Sequence, residues 1–288
     1  MCPDDSSGMK HEADAVGVSP VRYCDLPDYR AAYRDTGGDG EVVVFLHALA
    51  GSSESWVKQF SAFSAAGYRA IAPDRRGWGD SGLAHNGDNG VGTAAEDLDA
   101  FVDALGIGSF HLVGIAGGGF VALDYAEWRA DRIRSLVIAA STGRVAEPEI
   151  ETFIECIKNP DVTWPSIYLE LGPSYLGSEP VGVARWERIF EYARRRNAPE
   201  QPLRSPNTFR KISRINATAL VLSGGADQLA PPALMRLWAA HLPDCHFEVI
   251  AAAGHSINWE YPEAFNRIVL DFLGGLQAVP QAREVPIS

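Results

Sequence analysis

The stretch HLVGIAGGGFVAL, His111 to Leu123, decides the fold. Its first residues complete the apolar run SFHLVGI, which reads as a strand buried on both faces. A sharp glycine-rich turn follows, and GGFVALDYAEWRA then reads as a helix. The turn, Gly114-Ile115-Ala116-Gly117-Gly118, matches G-x-S-x-G except at its centre, where alanine stands in place of serine. Glycines flank such an apex because it is held in a strained conformation, where bulky neighbours clash with the adjoining strand and helix. The helix start behind it offers unpaired backbone N–H groups and the positive end of a dipole. The turn is complete, yet its tip carries no reactive group.

Working outward, strands and helices alternate. Glu41–His47 is a continuous β-branched run, SESWVKQFSAFSAAG has helical spacing, and Tyr68–Asp74 is a second strand. TAAEDLDAFVDALG opens on a Thr93-x-x-Glu96 capping box. It places Leu98, Phe101, Val102 and Leu105 on one face and stops at Gly106, so it predicts a helix. After the central strand come strands at Ile133–Ser141, Thr218–Gly224 and His246–Gly254, with helices in PPALMRLWAAHL and PEAFNRIVLDFLGGL. This order predicts an α/β fold with a doubly wound, mostly parallel sheet. The core is expected over 21–142 and 214–276, between a loose N-terminal tail at 1–20 and a C-terminal tail at 277–288. Residues 143–213 break the rhythm: they are rich in aromatics and arginines and hold no buried-type strand. A helical insertion there, above the C-terminal edge of the sheet, would act as a lid, because ligands in such sheets bind at that edge.

Bulk properties narrow the partners. Lys plus Arg number 25 against 37 Asp plus Glu, a net charge of −12. An acidic surface repels phosphate backbones and anionic lipid heads, so neither nucleic acid nor a membrane is the expected partner. A small-molecule substrate is, with the chain a monomer or homodimer. The N-terminus is polar and lacks an apolar signal core, so a cytoplasmic location is expected. Cys2, Cys24, Cys156 and Cys245 are widely spaced and read as free thiols, Cys156 as buried packing. His85, His111, His241 and His246 are scattered singly, and neither a metal nor any other cofactor is expected.

Four further motifs surround the turn: HALAG (His47–Gly51), DRRGWGDSG (Asp74–Gly82), SGGADQLAPP with Asp227, and AGHSINWEYPEAF with His255. Together with the turn they resemble the α/β-hydrolase superfamily, over about residues 21 to 275. The resemblance implies Asp227 as the acid of a catalytic triad, His255 as its general base, and Ala116 at the nucleophile position. The backbone N–H groups of Leu49 and Gly117 then form the oxyanion hole. Two departures stand out: His47 is followed by Ala48 where the family usually has glycine, and the nucleophile is missing. His47 itself reads as a structural hydrogen-bonding residue. Ala48, Trp186, Tyr175, Trp164 and Ile257 are the candidate substrate contacts. Arg185, Arg188 and the run Ala193–Arg196 read as a solvated helix face, with a substrate carboxylate as their other possible use.

Three readings of Ala116 are open. It is an introduced change that silences a serine hydrolase, or it is native and His255 acts directly on water or substrate, or the chain is a catalytically silent binder. An aspartate parent fits less well than serine: Gly117 stands where such relatives carry tryptophan, and Ala50 where the epoxide-hydrolysing ones carry proline. The implied function is an enzyme acting on a small apolar or aromatic ester, lactone or C–C bond substrate. The alternative is cofactor-free lyase or oxygenase chemistry with His255 as general base.

Overall fold

The computed structural model describes residues 19–83, 92–157, 164–193, 198 and 200–278. Most of both predicted tails, His85 and the arginines of the run at 194–196 lie outside them. The sheet is built from β1 (Val21–Asp25), β2 (Arg30–Asp35), β3 (Val42–Leu46), β4 (Arg69–Pro73), β5 (Phe110–Ile115), β6 (Ile133–Ala139), β7 (Ala219–Gly224) and β8 (Cys245–Ile250). Their spatial order is β1-β2-β4-β3-β5-β6-β7-β8. From β4 to β8 every pairing is parallel, whereas β1 and β2 pair antiparallel and β2 lies antiparallel on β4.

The antiparallel pair is a feature that the hydrophobic pattern does not reveal. Both strands are short and studded with arginine, and only Ala31, Ala32 and Tyr33 of β2 are buried apolar residues. Such a strand at the margin of a sheet carries little of the apolar run that marks a central one.

The parallel strands are apolar on both faces because both faces are covered. Along β3, Val44 and Leu46 join one core, while Val43 and Phe45 join the other. The first core is closed by α2 (Ala94–Ala104), α3 (Gly117–Trp128) and α9 (Pro232–Ala239), through Leu98, Phe101, Leu123, Leu234 and Trp238. The second is closed by α1 (Val57–Ala65) and α11 (Pro262–Ala278), through Phe60, Phe63, Phe265, Val269 and Leu273. The capping box of α2 forms: Thr93 and Glu96 each accept from the other's backbone N–H.

Between β6 and β7 the chain makes α4 (Pro148–Ile157), α5 (Ser166–Glu170), α6 (Pro173–Ser178), α7 (Pro180–Ala193) and α8 (Phe209–Ile212). Leu171, Tyr175, Trp186 and Ile189 pack there on Trp259, which belongs to α10 (Ile257–Glu260) after β8. Cys156 is exposed, contrary to the buried packing expected of it. On α4, Ile150, Phe153 and Ile154 take the inward face at i, i+3 and i+4, and Cys156 falls outside that stripe. Among the described residues, no helix is long and apolar enough to cross a membrane.

Candidate active site

Residues at the C-terminal ends of β3, β5 and β8 line one cavity, and the loop after β7 places Asp227 behind His255. Ala116, directly after β5, has φ 48 and ψ −114, in the left-handed region that a residue with a Cβ rarely adopts. The turn is locked around it: Ala116 N–H donates to Ala139 O at 3.0 Å, and Ser141 Oγ donates to Ala116 O at 2.7 Å. Gly118 explains the glycine requirement. A Cβ there would lie 2.2 Å from Leu46 O, on backbone that cannot yield.

Gly117 begins α3, so its N–H has no partner within the helix. A Cβ at 117 would come within 3.2 Å of Leu49 N, which puts the Leu49 amide beside it. The Leu49 loop is held by Trp78, whose Nε1 donates to Leu49 O at 2.9 Å. His47 is fully buried and bridges two loops. Its Nδ1 lies 2.7 Å from Ala48 O, and Arg75 N–H donates to its Nε2 at 3.0 Å. That pattern fixes the neutral tautomer with the proton on Nδ1, and burial pushes the imidazole down to about 3.

His255 follows β8 and Asp227 follows β7. His255 Nδ1 lies 2.8 Å from Asp227 Oδ2. The other carboxylate oxygen, Oδ1, accepts from Leu229 N–H at 2.8 Å and Ala230 N–H at 2.9 Å, so the carboxylate cannot swing away. With Nδ1 engaged, Nε2 is the nitrogen left for the cavity. Burial pulls the His255 imidazole down, but Asp227, Glu170 and Glu260 outweigh it and raise the group to about 9.

The cavity brings Ala48, Ala116, Trp186 and His255 together. The other three candidate contacts lie elsewhere. Trp164 is 54% exposed against Tyr168, because it stands outside the packed part of the insertion. Tyr175 is buried within the insertion near Lys58 and Trp259, and Ile257 has no exposed surface because it fills the second core. Arg185 reaches Glu54 at 3.4 Å. Sequence reasoning missed Glu170, Ser256 and Asn258, which line the same cavity. Ser256 and Asn258 sit in the GHSINWE motif, where adjacency to His255 was a usable signal; Glu170 lies in no motif.

Trp186 Nε1 donates to Ser256 Oγ at 3.0 Å, and Ser256 N–H donates to Glu170 O at 2.9 Å, so the inserted helices are stitched to the residue next to His255. Glu260 adds a second seam. Its Oε2 accepts from Gly172 N–H at 2.8 Å and from Gly254 N–H at 3.0 Å.

The chain as a whole is similar to known proteins. A family profile described as the alpha/beta hydrolase family covers residues 43–268, and the chain belongs to that family of enzymes. A 2-hydroxy-6-oxononadienedioate/2-hydroxy-6-oxononatrienedioate hydrolase of Burkholderia vietnamiensis is 30% identical, over 86% of this chain and 92% of its own. A 2-hydroxy-6-oxo-6-phenylhexa-2,4-dienoate hydrolase of Burkholderia cepacia is 27% identical with the same coverage. Among solved structures, the enol-lactonase from Burkholderia xenovorans superimposes with a TM-score of 0.71 at 22% identity, over 88% of this chain and all of that one.

Proposed function

We propose that this chain is an enzyme that uses the His255–Asp227 pair as its acid–base centre, acting on a small apolar or aromatic substrate without a covalent intermediate at position 116. The observation that carries the reading is the 2.8 Å Asp227–His255 contact beside a complete elbow whose apex, Ala116, has no nucleophilic atom. Asp227 orients the imidazole and stabilises its charged form. Neutral His255 takes a proton at Nε2 from water or from the substrate. Where water is the nucleophile, the hydroxide adds to the carbonyl of an ester, lactone or ketone. The developing oxyanion is met by the Leu49 and Gly117 N–H groups, and the imidazolium returns the proton to the leaving group. The inserted helices serve as a lid whose Trp186 faces the substrate and keeps bulk water out.

The names of the relatives, hydrolases of small oxo-dienoates, support hydrolysis of a small carbonyl compound. A second reading, cofactor-free lyase or oxygenase chemistry, draws support from Ala116 itself: removing a proton from the substrate needs the base and no nucleophile. Both readings stand on the same test. The protein is incubated with small lactones, aryl esters, β-diketones and enolisable aromatics, with and without oxygen, and products are followed by mass spectrometry. Product is expected with no adduct on the protein, and His255→Ala is expected to lower its rate by ~10²–10⁴-fold, the worth of a positioned general base. Turnover that survives His255→Ala unchanged overturns the proposal. Tight retention of a small molecule with no product identifies a silent binder instead.

A further inference from the structure

Glu170, the last residue of α5, shares the cavity with Ala116 and His255, and nothing in the acid–base scheme above uses it. Its backbone is pinned: Ser256 N–H donates to Glu170 O at 2.9 Å. Its side chain is poorly satisfied. Ser256 Oγ donates to Oε2 from 3.4 Å, a long contact, and that hydroxyl already accepts from Trp186 Nε1. A carboxylate accepts about four hydrogen bonds, so most of its capacity is open. The described residues lining the cavity include no lysine or arginine; Glu170 and His255 are its ionisable side chains. Ala48, Ile115, Ala116, Trp186 and Trp259 give it apolar walls, and Ser55, Ser256 and Asn258 are its neutral polar residues.

Such a cavity treats charges unequally. A bound carboxylate would face Glu170 with only the His255 imidazolium to answer it, and that charge is already paired with Asp227 at 2.8 Å. A hydroxyl, enol or ammonium would fill the open lone pairs of Glu170 while its apolar body met Trp186. We propose that Glu170 is the substrate-recognition carboxylate of this cavity, selecting a small apolar or aromatic molecule that carries a hydrogen-bond donor and no negative charge. The inference rests on reading the cavity as the substrate site. It also separates this chain from its relative named for a dioate, a dianionic substrate. Burial, which raises the Glu170 carboxyl, and the opposing pull of His255 agree with the two groups facing one another.

The test uses three probes of one shape: benzylamine, benzyl alcohol and benzoate, titrated by NMR into the full chain and into Glu170→Gln. Thermal unfolding first checks that the variant is folded. In the unaltered chain benzylamine should bind tightest and benzoate weakest, by about tenfold or more, the scale of a charge contact in a partly solvated site. Glu170→Gln should weaken benzylamine, strengthen benzoate and compress the range. A ligand-free readout runs beside it. Asp227, Glu170 and Glu260 are the carboxylates facing His255, so removing one should lower the pH at which its imidazole titrates. Benzoate binding as tightly as benzylamine, no saturable binding of any probe, or a ranking and titration unmoved by Glu170→Gln each overturns the inference. None of these readouts requires turnover. Should His255→Ala leave catalysis intact while the ranking follows Glu170, the acid–base reading fails and the recognition carboxylate stands.

Discussion

At position 116 a left-handed backbone conformation is imposed on a residue with a Cβ, at a cost on the order of 1–3 kcal/mol. The surrounding turn sustains it, with Gly118 against Leu46 O and Ser141 Oγ on Ala116 O. Serine differs from alanine by one oxygen and accepts the same backbone, so Ala116→Ser should fold normally. Its Oγ would enter the cavity that His255 lines, directly before the start of α3. The expected outcome, read by intact mass after exposure to an activated aryl ester, is an acyl adduct on the variant and none on the unaltered chain. That adduct should vanish when His255→Ala is added. No adduct on Ala116→Ser would mean that the apex and the imidazole are not in attacking register.

At the scale of elements, the site depends on how α5 to α7 sit on the loop after β8. Glu260 binds the two together through one oxygen, Oε2, shared between Gly172 N–H and Gly254 N–H, while its Oε1 is buried with no hydrogen-bond partner. Glu260→Ala leaves two buried donors without an acceptor, at about 1–3 kcal/mol each. Thermal unfolding should fall by roughly 4–24 °C at the usual 2–4 °C per kcal/mol for a domain approaching this size. Glu260→Gln should fall less, since its carboxamide oxygen can replace Oε2. Equal melting of all three forms would contradict the seam. The same elements mark what was legible beforehand. Buried strands such as β3 and β5 announce themselves by apolar runs, and α2 by its capping box and i, i+3, i+4 spacing. Ala48, Ala116, Trp186 and His255 were named from motif and position and share one cavity. The β1–β2 pair was not legible, because strands rich in arginine carry no core pattern. Nor was Glu170, whose role depends on a fold-back of the insertion that no local pattern encodes. Trp164, Tyr175 and Ile257 show the converse: aromatic or apolar character marks burial in general and does not say which cavity a side chain lines.

For the molecule as a whole, residues 48, 116, 227 and 255 are far apart in the chain and meet because each follows a parallel strand at the same edge of one sheet. The acidic chain carries this pattern inward: three carboxylates, Asp227, Glu170 and Glu260, act on one imidazole and hold it at about 9. Below that pH His255 is mostly imidazolium and cannot accept a proton; above it the neutral base predominates. At pH 7 roughly one molecule in a hundred holds the neutral form, two pH units below the midpoint. The most direct test of His255 as the working base is therefore the pH profile of kcat/KM for product formation by the chain with Ala116 in place. The rate should rise about tenfold per pH unit through the neutral range and level off near pH 9, with His255→Ala abolishing the rise. A rate that stays flat between about pH 6 and 10, or a profile that His255→Ala leaves unchanged, would contradict the account.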